Sequence, residues 1–157
     1  MSLGDVMPTA FVLKAILVPG GAFRSKFEFW DEGAKERFFF VANKNPGTAQ
    51  TIFMVTATSQ INQRQAKHAH RASKVLVYLS KAEYPDLTVD SVIDCDCALR
   101  RVSIEKFKEL TASREFKPLP RLPEAVIAKI HEAIAAAKTL SPVEKRAILG
   151  PEPDGGG

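Results

Sequence analysis

Two apolar runs flank a polar turn in "RFFFVANKNPGTAQTIFMVTATSQ", residues 37–60, and the second run ends abruptly in hydroxyls. Both runs read as strands, and "KNPGTAQ" between them supplies the Pro and Gly of a hairpin loop. Upstream, the short run "AFVLKAILV" (10–18) is β-branched and stopped by Pro-Gly-Gly, which favours a strand over a helix turn. "KFEFW" (26–30) alternates polar and aromatic positions, the period of a half-buried strand. Downstream, "VLVYLS" predicts another strand, and "SVIDCDCALRRVS" predicts two short strands or one bent one. Ser103 caps a helix through "SIEKFKEL". "REFKPLPRLP" reads as a proline-broken connector. Pro123 suits a helix start, and Val126, Ile127, Ile130, Ile134 and Ala137 recur at helical spacing, predicting a helix that ends near Leu140. "SPVE" (141–144) carries a capping-box pattern for a last short helix, stopped by Gly150-Pro151.

Strands come first and helices last. This order predicts an α+β domain built on a small, strongly curved antiparallel β-barrel with C-terminal helices. The barrel is expected over about 10–110 and the helical part over about 122–149. Together they form one domain over 1–150, followed by a disordered tail at 151–157. A chain of 157 residues with 45% hydrophobic content can bury a real core. No apolar run reaches the roughly 18–20 residues of a membrane helix, so a soluble, cytoplasmic protein without membrane contact is expected. The net charge of +4 permits a polyanionic partner without requiring one.

Candidate chemistry begins with Arg37. If the two runs pair, Arg37 and the cluster Thr56, Thr58 and Ser59 lie at the same end of the hairpin. A guanidinium beside neutral hydroxyl donors suits a phosphate group; equally, both are ordinary at strand ends. Residues 61–74, "INQRQAKHAHRASK", follow directly with Arg64, Lys67, Arg71 and Lys74 and no acid. Arg64, His68 and Arg71 share one helical face, either as a track for single-stranded RNA or as a solvated cationic surface. The free pKa of a histidine lies near neutrality, which makes His68 a candidate acid or base. In "DCDC", Asp94 and Asp96 point to one strand face and Cys95 and Cys97 to the other, so no metal site is expected there. The cysteines read as small buried hydrophobes.

These residues resemble a known family. "RFFFVANKNPGTAQTIFMVTATSQ", with "EYP" (83–85) and "VIDCD" (92–96), is similar to the PemK/MazF-type toxins. It resembles still more closely a branch of related proteins carrying "NKNP", "ATSQ", "EYP" and "VIDC"-like elements. The likeness spans roughly residues 26–110. It implies an SH3-like barrel, often dimeric, that cleaves single-stranded RNA without a metal or other cofactor and is neutralised by an antitoxin protein. It puts Arg37 at the family's arginine, Thr58, Ser59 and Gln60 at the hydroxyl element, and Asp94 at the acidic position. Arg37 with Thr58 and Ser59 then carries catalysis. Gln60, Arg64, Lys67, His68, Arg71 and Asp94 bind substrate. The family's arginine is typically followed by proline; here Phe38 follows. A catalytically silent barrel that binds RNA or a protein is the other reading.

Overall fold

A computed structural model describes residues 9–26, 36–59, 75–96, 99–113 and 116–150. Its elements in chain order are α1 (Thr9–Ile16), β1 (Ala22–Lys26), β2 (Glu36–Val41), β3 (Thr51–Thr58), β4 (Leu76–Leu79), β5 (Ser91–Asp94), β6 (Leu99–Ser103), α2 (Ile104–Thr111), β7 (Lys117–Leu119), α3 (Glu124–Ala136) and α4 (Pro142–Leu149). All pairings are antiparallel, in the order β4-β5-β3-β2-β1-β7, with β6 also on β3. β3 is long enough to serve two partners along one side: Thr51–Val55 pair with β6, and Ala57 and Thr58 pair with β5. Its other side holds β2.

The α+β class is as expected, but the sheet is branched and open: among the described residues no pairing joins β4 to β7. Consecutive apolar residues explain the layering. Phe38, Phe39 and Phe40 cannot all face one side of a strand, so both faces are covered. On one face Phe40, Phe53 and Val55 pack under Val126, Ile130 and Ile134 of α3, with Ile148 of α4. On the other, Phe39, Val41 and Met54 pack under Ile16 of α1 and Phe107 of α2. There the Phe23 ring stacks on Phe39 at 5.3 Å and on Phe116 at 4.5 Å.

Residues 10–18 depart from the strand expectation. They contain α1, because Val12 and Ile16, four apart, are buried while Phe11 is 62% exposed. The chain then reverses tightly into β1 through Gly20, at φ +74°, and Gly21, where a Cβ would sit 2.0 Å from the Ile16 carbonyl oxygen. The expected connector at 114–123 includes β7, whose Pro118 faces Phe23 at the end of the sheet path, where a missing N–H is tolerated. Of the strand expected at 26–30, Lys26 ends β1 and 27–30 lie outside the described residues. The long helix stops at Ala136 rather than near Leu140 because Thr139 is captured by Asp96: its N–H donates to Oδ1 at 3.0 Å and its hydroxyl to the Asp96 carbonyl at 2.7 Å. The capping box of α4 forms as expected.

The hairpin between β2 and β3 is fastened from three directions. Buried Asn43 clamps it internally, donating to the Thr51 carbonyl at 3.0 Å and accepting the Phe53 N–H at 2.7 Å. The Lys44 N–H donates to the Ile148 carbonyl of α4 at 2.8 Å. His131 of α3 donates from Nε2 to the Ala42 carbonyl at 2.9 Å. A single 3-10 turn, Pro46–Thr48, closes the loop. No helix among the described residues is long and apolar enough to cross a membrane.

Candidate phosphate-binding groove

The strand register builds the site. Phe38 pairs with Ala57, so the next step outward along the same ladder sets Arg37 beside Thr58. Ser25 pairs with Arg37, Thr58 with Val92, and Val92 with Tyr78. Directly opposed residues share a face, so Ser25, Arg37, Thr58, Val92 and Tyr78 form one row across five strands. Ser25 is fully buried, and its Oγ finds no hydrogen-bond partner among the described residues. Arg37 and Thr58 are half-buried, and Ser59 is exposed.

The strand ends open into a groove of about 250 Å³, to which Arg37, Thr58 and Ser59 all contribute. Leu87, Thr88 and Val89 form its far wall. That wall is built, not draped. Leu87 sits in the core, Tyr84 donates to the Pro120 carbonyl at 2.5 Å, and the Lys81 N–H donates to Asp90 Oδ1 at 2.8 Å. Ser91 lines the groove from β5, with its hydroxyl turned to the Val89 carbonyl at 3.0 Å. A guanidinium and two hydroxyls beside one open groove can receive a phosphate diester: the arginine offers a planar fork of donors and the hydroxyls add neutral ones.

Glu36 also lines the groove, and the sequence reading missed it. Its carboxylate joins Arg24 of β1 and Lys117 of β7, each at 3.0 Å. The hydrogen bond from Lys117, aided by the nearby Arg24 charge, holds its pKa below the ordinary carboxylate value. Glu36 and Arg37 are strand neighbours and alternate in direction, so the carboxylate secures the strand that carries the guanidinium. An acid directly before the arginine was the available signal, but its partners are distant in sequence. Phe38, the residue after Arg37, packs against the core and receives the Arg24 guanidinium 5.8 Å from its ring centroid.

Asp94 is fully buried, accepts the Asp96 N–H at 3.0 Å, and is not among the residues that line the groove. Asp96 holds Thr139 in turn, so the "VIDCD" element ties β5 to the link between α3 and α4. Cys95 is buried among these groups, and burial raises its thiol pKa. Gln60, Arg64, Lys67, His68 and Arg71 lie outside the described residues, as does Cys97.

No family model and no curated protein matches the chain. Among solved structures it is similar to an endoribonuclease in complex with its cognate antitoxin from a mycobacterial species, at 16% identity and a TM-score of 0.48, over 79% of this chain and 96% of that one. It is similar to MazE-MazF from Deinococcus radiodurans at 17% identity and a TM-score of 0.48, over 77% and 94%.

Proposed function

We propose that this chain is a toxin–antitoxin-type endoribonuclease that cleaves single-stranded RNA without a metal. The observation that supports it is the convergence of Arg37, Thr58 and Ser59 on one groove, together with the sequence elements around them. Arg37 would hold the scissile phosphate and stabilise the added charge of the pentavalent transition state, with Thr58 and Ser59 as neutral donors. The RNA 2′-hydroxyl attacks phosphorus and loses its proton to water. The bond to the 5′-oxygen breaks, and that oxygen takes a proton from water as it leaves. The products are a 2′,3′-cyclic phosphate and a 5′-hydroxyl end. Gln60, Arg64, Lys67, His68 and Arg71 would guide the flanking backbone. An antitoxin protein is the expected neutralising partner, and a second copy of the chain the expected assembly partner.

One observation favours the alternative, an RNA- or protein-binding module without catalysis. The only carboxylate among the described groove residues is Glu36, which is paired with two cations and made a weak base. Incubation of single-stranded RNA with the full chain in a metal chelator, followed by end-group analysis, separates the two. Cyclic-phosphate ends that vanish with Arg37→Ala support the nuclease. RNA retention at low salt without cleavage supports the module. Cleavage unchanged in Arg37→Ala refutes the site.

A further inference from the structure

A second groove runs along β4. It encloses about 690 Å³, a volume suited to an organic ligand or base. Leu76, Val77 and Tyr78 form its strand wall, and Lys129, Glu132 and Ala136 stand on the helix side. Tyr78 is 45% exposed, although its strand neighbours Val77 and Leu79 are buried. It occupies the end of the row that holds Arg37 and Thr58, two strand spacings from Thr58, or about 10 Å. The two grooves adjoin: Ser91, which lines the Arg37 groove, pairs with Leu79, the residue after Tyr78.

Resting on the RNA-cleaving reading above, we propose that Tyr78 is a stacking platform and the β4–α3 groove the subsite for a nucleobase neighbouring the scissile phosphate. Every base has a π-face, so an exposed ring holds single-stranded RNA with little regard to sequence. Lys129 supplies a cation for the flanking phosphate. Glu132, three residues further along the helix, is an acceptor for the exocyclic amino group of adenine, cytosine or guanine. A phosphate site within the row, at Arg37 and Thr58, and an aromatic ring at its β4 end define the direction in which the strand crosses the sheet.

The test uses the full chain and a short single-stranded oligonucleotide with 2′-O-methyl riboses, which lacks the nucleophile and is not cleaved. It carries the fluorescent base 2-aminopurine at each position in turn. Binding should quench the probe at a position beside the phosphate held by Arg37. Tyr78→Leu should weaken binding by about five- to a hundredfold and abolish that quenching, while Tyr78→Phe preserves both. Equal affinity in Tyr78→Leu, or no quenching at any position in the unsubstituted protein, overturns the proposal. The second measurement decides even if Tyr78→Leu does not fold. A loss confined to Arg37→Ala, with Tyr78→Leu unchanged, removes the stacking site and leaves the nuclease reading standing. No binding at low salt removes both.

Discussion

Asn43→Ala should unfasten the β2–β3 hairpin. The amide of Asn43 makes two hydrogen bonds in a 1% exposed position, to the Thr51 carbonyl and from the Phe53 N–H. Truncation leaves both backbone groups without their partner. Each such group costs about 1–3 kcal/mol, so the loss for the two should be about 2–6 kcal/mol. For a chain of this size that lowers Tm by about 4–24 °C. The Ala42 N–H to Phe53 carbonyl bond at 2.8 Å remains, so the hairpin persists in weakened form. Urea unfolding followed by far-UV circular dichroism should show a lower midpoint with an unchanged slope. Asn43→Asp sharpens the test. It keeps the acceptor for Phe53 but sets a second oxygen against the Thr51 carbonyl, and so should rescue little. A change below about 0.5 kcal/mol for Asn43→Ala would refute the clamp, since that is the scale of an ordinary surface substitution.

His131 should give stability a slope with pH. Burial lowers its pKa below the ordinary 6.5, outweighing the hydrogen bond to Ala42, and the nearby charge of Lys44 acts in the same direction. The unfolded chain therefore binds the proton first. Stability is fully present above about pH 6.5 and falls as pH drops through the lowered folded value. Thermal melts between about pH 8 and pH 5 should show this slope, and His131→Gln, which keeps a donor for Ala42, should flatten it; an unaltered slope would exclude His131 as its source. Ser141→Ala removes the capping box of α4 and should cost about 0.5–2 kcal/mol in urea unfolding, whereas Ser141→Asp should retain most of the stability.

The sequence carries the hairpin and the last two helices openly. β3 coincides with "TIFMVTAT", and Ser141 with Glu144 marks the start of α4. The convergence of Arg37 with Thr58 was legible because an antiparallel ladder carries both outward from the same turn. The layering was less so. Unbroken runs such as Phe38–Val41 signal burial on both faces but do not say what covers them. α1 was hidden because nine residues of "AFVLKAILV" fit either period, and only the packing of Val12 and Ile16 separates them. β7 was hidden by Pro118 within it and Pro120 just after it, and Glu36 by partners on β1 and β7. Asp94 reads as a site acid in its motif, but the structure gives it a backbone partner inside the core.

The hairpin that carries Arg37 and Thr58 is held by parts of the chain that a ribosome makes much later. Ala42 waits for His131, and Lys44 waits for the Ile148 carbonyl. During synthesis, residues 37–58 leave the exit tunnel without either fastening. Ordering of the groove is thereby coupled to the emergence of α3 and α4. A nascent chain cut before residue 131 should leave the Arg37 end of the hairpin weakly ordered, since long-range contacts must form before they contribute. If the groove does cleave RNA, this delay separates the making of the polypeptide from the onset of its activity.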